Sequence, residues 1–234
     1  MPALPLHLVS NSSLPLNSTT INGTAAETLQ VVCAWPVSGQ YGPGTRYLYY
    51  VLVAACVLGR GSEWLRDACL AAALLLPAVA ALHGIVLATV HVDGAVDMDV
   101  YGAFQLCAIG VLAGPVTVRI SKTYFNTPGR NLIFLWTGMI LSGLLSLTVE
   151  FFRADPVSCR TDDFKYGENG TCGLTCSTDK GPYSPLRGGS QNNIYVIQAP
   201  DILGFGTATL LAAACCIPAI LSLVSMWNKI LKLN

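Results

Sequence analysis

Two polar side chains, His83 and Gln105, lie within segments that are otherwise almost entirely apolar. Polar and ionisable groups are expensive to bury in a membrane, and they frequently mark the path of a substrate or an ion. His83 follows Pro77 and precedes Gly84, so a kinked helix could open a polar pocket beside it. We therefore name His83 and Gln105 as candidate residues of a ligand or transport path. The alternative is that each side chain makes only a hydrogen bond between helices.

A short acidic cluster, formed by His91, Asp93, Asp97 and Asp99, follows the segment that contains His83. Carboxylates and imidazole can bind a cation, but their spacing here does not match a calcium-binding EF-hand loop. We therefore expect a solvated loop at this position and no metal site.

Glu150 is followed three positions later by Arg153, a spacing that brings two side chains together on a helix, and we expect an ion pair. The chain contains no GxSxG, HExxH, P-loop or dinucleotide-binding motif. The sequence accordingly predicts no catalytic residue, no metal and no cofactor.

The nine cysteines divide into two groups. Five lie in apolar segments and are expected to be small packing residues. The other four, in polar segments, are Cys33, Cys159, Cys172 and Cys176. An even number in an oxidising compartment suggests two disulfides, for which three pairings exist. We favour one bridge from Cys33 to the loop that holds the others and one bridge within that loop. A metal site at Cys172 and Cys176 lacks a histidine or a second close pair of cysteines.

The elements that must position these residues are membrane helices. The chain is 53% hydrophobic and 11% charged, whereas soluble domains carry about 25% charged residues. We predict an all-α membrane protein, a bundle of about five transmembrane helices with a disulfide-braced extracellular loop. The predicted spans cover about residues 45–59, 68–90, 100–118, 131–151 and 203–227.

Charge and glycosylation motifs predict the orientation. With the amino terminus outside, the four Asn-x-Ser/Thr sequons all lie outside, at Asn11, Asn17, Asn22 and Asn169. More than half of the 13 Lys and Arg residues then fall in short inner segments, as the positive-inside rule requires. We expect a multi-pass protein of the plasma membrane or secretory pathway.

The predicted organisation has four parts. Residues 1–44 form an extracellular glycosylated tail, and residues 45–151 hold four transmembrane helices. Residues 152–202 form an extracellular loop with cysteines, and residues 203–234 hold the fifth helix and a short cytoplasmic end. Expected partners are the lipid bilayer and an extracellular ligand or membrane-protein partner at the long loop, although that loop could instead be a poorly ordered glycosylated cover. The formal net charge is zero, which gives no electrostatic reason to expect nucleic acid.

Several blocks resemble a family of filamentous-fungal integral membrane proteins without assigned activity. They are RYLYYVLVAACVL, LLLPAVAALHGIVLA, DMDVYGAFQLCAIGVLAGPVTVR, GRNLIFLWTG and ATLLAAACCIPAILSLVSMWNKIL. Family members usually continue past the last block to further spans, so the resemblance implies that this chain is shortened at its carboxyl end. The resemblance also implies a supporting role in a fungal biosynthetic pathway, and it supplies no catalytic residue.

The favoured function is non-catalytic: a membrane scaffold, sensor or accessory protein. The alternative is a transporter or channel component that exports a small metabolite past His83 and Gln105. A membrane-embedded enzyme such as a terpene cyclase comes third. Such cyclases place an acidic residue in an Asn-x-x-Trp-Glu type segment, whereas Glu63 and Trp64 stand here in reverse order in a loop.

Overall fold

The computed structural model describes residues 28–59, 61–120, 130–160, 172–179, 187 and 193–233. In these ranges the chain is mostly helical, with five α-helices and a small sheet. The helices are α1 Pro43–Leu58, α2 Glu63–Thr89, α3 Asp99–Ile120, α4 Arg130–Arg153 and α5 Phe205–Leu233. The strands are β1 Thr28–Trp35, β2 Ala95–Asp97, β3 Val157–Arg160 and β4 Tyr195–Gln198, and a short 3-10 helix covers Gly39–Tyr41.

Three helical segments are long and apolar enough to cross a membrane: Glu63–Thr89, Asn131–Arg153 and Phe205–Asn228. Helix α1 has 16 residues, about 24 Å at 1.5 Å per residue, which is less than the roughly 30 Å of a hydrocarbon core. The apolar part of α3, Asp99–Gly114, is likewise short. The prediction of about five spans is therefore confirmed only in part: five helices are present, and three of them have the length and composition of a span.

The helices α2 and α4 cross at very close range. A Cβ atom added to Gly143 of α4 would lie 2.6 Å from the Cα atom of Ala81 in α2, so this contact requires glycine. Leu144, the next residue of α4, and Leu147, one turn further on, are fully buried. Small residues let helix backbones approach in this way in membrane proteins.

Pro77 lies inside α2, which continues through it, and is fully buried. Proline cannot donate a backbone hydrogen bond, so Pro77 does not supply the usual helical bond to the carbonyl of Ala73, and its ring crowds the preceding turn. The indole Nε1 of Trp136 donates to the carbonyl of Leu74 at 2.7 Å. On another side of the proline, Gly110 of α3 packs so closely that an added Cβ would lie 2.7 Å from the Pro77 ring.

Strand β1 is the centre of the sheet. It pairs in parallel with β2 and antiparallel with β3 and β4. Val31 to Trp35 are all buried, so this apolar run is covered by the rest of the protein. The chain is mostly helical, but residues 28–35 of the predicted amino-terminal tail form a buried strand, which the all-α prediction did not include. The polar composition of residues 1–42 masked a short buried strand, which periodicity alone identifies poorly.

The sheet lies at one end of the helix bundle. Helices α1, α3 and α5 begin no more than eight residues after a strand ends. Helices α2 and α4 end no more than six residues before a strand begins. Consecutive helices therefore run in opposite directions, and each has one end at the sheet. We call this region the cap, comprising residues 28–42, 90–98, 154–160 and 193–204 with the loop residues bonded to them.

Two disulfides join the cap, Cys33–Cys176 and Cys159–Cys172. The first ties the long loop to β1, and the second ties it to β3. The predicted glycosylation sites Asn11, Asn17, Asn22 and Asn169 lie outside the described residues, so they stay predictions.

Candidate functional site

The cap contains a buried cluster of charged residues centred on Arg187. Its Nε donates to Oδ2 of Asp97 at 2.8 Å, and its Nη2 contacts Oδ1 of the same carboxylate. Its Nη1 donates to the carbonyl of Pro36, which follows β1. The side chains of Arg187 and Asp99 are fully buried, and that of Asp97 is 8% exposed. Arg187 thus joins the long loop to β2 and to the end of β1.

Asp99 is the second carboxylate of this cluster and the first residue of α3. Its Oδ1 accepts the backbone N–H of Ser38 at 2.6 Å, while its Oδ2 lies 3.8 Å from Nη2 of Arg187. Burial raises the pKa of the Asp99 carboxyl, although the Ser38 N–H and Arg187 act in the opposite direction. Since one guanidinium faces two carboxylates, the cluster is neutral when Asp99 holds a proton.

The expectation of a solvated acidic loop is therefore wrong for Asp97 and Asp99. The sequence placed them in a short polar segment between two apolar helices, where water is the default partner. Their actual partner, Arg187, is about 90 positions away and has no local signal. Of the four residues in the predicted acidic loop, only Asp93 has a fully exposed side chain.

A second polar contact joins the cap to α4. Nδ1 of His91 lies 2.9 Å from both carboxylate oxygens of Glu150, and its Nε2 lies 3.6 Å from Oδ1 of Asp93. The Glu150 side chain is 6% exposed. Arg153 instead donates to the carbonyl of Ala88 at 3.1 Å. The predicted Glu150–Arg153 ion pair is thus replaced by two contacts between α4 and the end of α2.

His83 meets the cap at Tyr41. Its Nδ1 lies 2.7 Å from the Tyr41 hydroxyl, and the two rings are stacked with centroids 5.5 Å apart. Both residues are buried. An added Cβ at Gly102 of α3 would lie 2.4 Å from Tyr41, so glycine makes room for the ring. The Tyr41 ring therefore packs against both Gly102 of α3 and His83 of α2.

Gln105 makes a separate hydrogen bond. Its Nε2 donates to the hydroxyl of Tyr50 in α1 at 3.1 Å. His83 and Gln105 thus each bond a tyrosine in a different element, and neither lines the cleft at the cap or the groove between α2 and α4. Their role in a ligand or transport path stays a prediction.

Two cavities are bounded by described residues. A cleft of about 570 Å³ lies between the cap and the adjacent ends of α4 and α5. Its lining includes Gln30, Phe151, Phe152, Pro200, Gly204 and Phe205. An apolar groove of about 300 Å³ lies between α2 and α4, where Leu74, Leu75 and Trp136 are among its walls.

Sequence reasoning missed Arg187 and Tyr41, since neither belongs to a periodic pattern or a motif. A signal for Tyr41 was its place just before the first apolar helix, beside Gly42 and Pro43. Among the residues that the structure describes, no group of three or more His, Cys, Asp or Glu side chains is arranged to hold a metal ion. Comparison with protein-family models, curated proteins and solved structures found no match.

Proposed function

We propose that this chain is a polytopic membrane protein that acts without catalysis, as a scaffold, sensor or accessory protein that presents its cap to a partner. The observation that carries this proposal is the way the cap is fastened. The Cys33–Cys176 disulfide, the buried ion cluster and the His91–Glu150 contact join segments that are far apart in sequence. These ties make the cap a rigid surface on a helical base.

The charged groups of the cap support this role because they bond one another. Each of the three guanidinium nitrogens of Arg187 donates a hydrogen bond, two to the Asp97 carboxylate and one to the Pro36 carbonyl. Buried ion pairs add little net stability, but they can specify a single arrangement of the chain. In the cap they fix the long loop against β1 and β2.

The cap is proposed to face the lumen or the outside of the cell. Disulfides form in oxidising compartments, and both bridges are in the cap. The Asn169 sequon belongs to the loop that these bridges hold, and the density of basic residues is higher in the segments that join the opposite helix ends.

An extracellular ligand or a membrane-protein partner would meet the cap, and the cleft of about 570 Å³ has a size typical of small-molecule sites. The resemblance to fungal membrane proteins supports the further proposal that the protein assists a biosynthetic pathway. The genes beside this one in its genome would test that setting directly.

Membrane insertion and orientation are tested first, with the full chain in its native membranes. The protein should resist carbonate extraction, and a glycosidase should increase its mobility on a gel. A maleimide that cannot cross membranes should label a cysteine placed at Ile202, which is 99% exposed on the cap, in intact cells. Labelling only after permeabilisation of the plasma membrane and internal membranes would place the cap in the secretory pathway, and labelling after selective plasma-membrane permeabilisation would reverse the orientation.

The scaffold and transport functions are separated by complementation of a deletion strain. Ile202→Asp and Tyr195→Ala change exposed cap side chains, whereas His83→Ala and Gln105→Ala change the candidate path. A scaffold predicts loss of complementation from the cap variants at normal protein levels. Transport predicts the opposite pattern, with loss of metabolite export from the path variants.

A further inference from the structure

We propose that the cleft between the cap and the ends of α4 and α5 binds a sterol-class lipid, taken from the membrane leaflet on the cap side and held with its hydroxyl toward the cap. The inference adds a chemical class of ligand to the proposed function. It rests on the membrane insertion proposed there, because it needs the cap ends of the helices to lie at the surface of a bilayer.

The cleft lies where hydrocarbon would give way to headgroups. It is bounded by the last residues of α4 and the first residues of α5, and both helices are long and apolar enough to cross a membrane. Phe152 of α4 is 78% exposed and Leu210 of α5 is 73% exposed, and both line the cleft. Because these apolar side chains also face the surroundings of the bundle, a lipid can enter the cleft sideways from the bilayer.

The inner wall of the cleft is held in place from behind. Phe151 and Phe205 are buried, and both rings contact the ring of Tyr101 in α3, with centroids 5.1 and 5.8 Å away. The Tyr101 hydroxyl donates to the carbonyl of Leu203, just before α5, at 2.9 Å. A fixed aromatic wall suits the rigid, flat ring system of a sterol better than a flexible acyl chain, since less conformational freedom is lost on binding.

The polar side chains of the cleft are neutral and lie beside the cap. Gln30 of β1 and Thr207 in the first turn of α5 are exposed, and both can donate and accept hydrogen bonds. The hydroxyl of Thr209, further along α5, instead donates to the carbonyl of Phe205 at 2.8 Å. Hydrogen-bonding groups at one end and apolar walls below them match a lipid that has one hydroxyl at the end of an apolar body.

The charges around the cleft argue against a phosphate headgroup. Among the described residues that line the cleft, none has a charged side chain. Asp155 and Asp201, each next to a lining residue in sequence, are exposed and add negative charge nearby. Arg153, which also neighbours lining residues, donates to the carbonyl of Ala88 in α2. An anionic group would therefore meet like charge at this position, whereas an uncharged hydroxyl would not.

Photolabelling of the full chain in its native membranes tests the site. The probe is a cholesterol analogue with a diazirine in its ring system and an alkyne in its side chain, and mass spectrometry locates the labelled peptide. We expect saturable labelling within residues 151–156 or 199–210, and unlabelled cholesterol in tenfold excess should lower it about tenfold by mass action. Stronger labelling of these residues by a diazirine-bearing phosphatidylcholine would overturn the proposal, as would sterol labelling spread along the helices without saturation.

Gly206 and Gly138 provide matched variants. A Cβ atom added at either position meets nothing within 4 Å, and of the two only Gly206 lines the cleft. Gly206→Leu should therefore occupy cleft space without displacing protein atoms and lower labelling about tenfold, whereas Gly138→Leu should leave it unchanged. Gln30→Leu should weaken binding about two- to tenfold, the value of one neutral hydrogen bond. Unchanged labelling of Gly206→Leu would refute the site.

Carbonate extraction of the same membranes separates this inference from the function on which it rests. Protein that resists extraction but shows no saturable labelling of the cleft would refute the sterol site and leave the proposed function standing. Protein that carbonate removes from the membrane would refute both.

Discussion

Arg187 bonds Asp97 across 90 positions of sequence, with its Nε 2.8 Å from Oδ2 of the carboxylate. The contact is buried, and it joins the disulfide-bonded loop to the strand that leads into α3. It therefore couples the loop to the helix that follows the strand.

We predict that Arg187→Met destabilises the cap by about 3–5 kcal/mol, since it leaves two buried carboxylates without their cation. The midpoint of thermal unfolding in detergent measures the effect. Arg153→Met is the matched control because Arg153 is exposed and bonds only a carbonyl among the described contacts, and it should cost about 1 kcal/mol or less. The double variant Arg187→Met/Asp97→Asn should be more stable than the sum of the single effects predicts, and strict additivity would contradict the contact.

Asp97→Asn and Asp99→Asn should differ in how much they destabilise the protein, although both replace a buried carboxylate by an amide. Asp97 accepts two hydrogen bonds from Arg187, so its neutralisation should cost about 3 kcal/mol or more. Asparagine at position 99 keeps an oxygen for the Ser38 N–H, and it resembles the protonated form that burial favours. We expect Asp99→Asn to cost less than about 1 kcal/mol, and a larger loss than for Asp97→Asn would refute this assignment.

The raised pKa of Asp99 also predicts a pH dependence. A raised acid binds its proton more tightly in the folded state, so its contribution is present below the unfolded pKa of about 3.9 and is lost as pH rises through the folded value. The stability difference between the wild type and Asp99→Asn should therefore change over the acidic range, with the wild type gaining relative to the variant as pH falls. Parallel stability curves would mean that Asp99 does not titrate in this way.

The two disulfides should contribute unequally. Cys33–Cys176 closes a separation of 143 residues and Cys159–Cys172 one of 13, and the entropy removed from the unfolded chain grows with loop length. We expect Cys33→Ser/Cys176→Ser to cost more than Cys159→Ser/Cys172→Ser, with both losses in the range of about 2–5 kcal/mol. Unfolding midpoints measure the losses, and mobility on non-reducing gels verifies which bridge remains. A larger loss from the short bridge would show that native contacts, and not loop entropy, dominate.

Gly143 and Gly138 offer a matched pair on α4. A Cβ at Gly143 would lie 2.6 Å from the backbone of Ala81, whereas nothing lies within 4 Å of a Cβ at Gly138. Alanine favours helix over glycine by up to about 1 kcal/mol at both positions. We therefore expect Gly138→Ala to be neutral or stabilising and Gly143→Ala to cost about 1–3 kcal/mol through overpacking. Similar unfolding midpoints for the two variants would contradict the close crossing of α2 and α4.

The apolar helices could be predicted from the residues alone. Hydropathy is a sum over neighbouring residues, so runs such as residues 68–90 disclose a preference for lipid without knowledge of the fold. The cysteines could be divided into two groups in the same way, since five lie in apolar segments and four lie in polar segments.

The partners of the polar residues could not be predicted from the sequence and become apparent in the folded chain. Glu150 had a charged neighbour at the helical spacing, yet it bonds His91, since the crossing of α2 and α4 brings the loop after α2 onto the end of α4. The sheet was missed because its four strands are short and come from four separate segments, and hydrogen bonds between distant segments leave no periodic signal in any one of them. Local composition indicates whether a segment prefers lipid or water. The partner of a buried charge depends on how the whole chain folds.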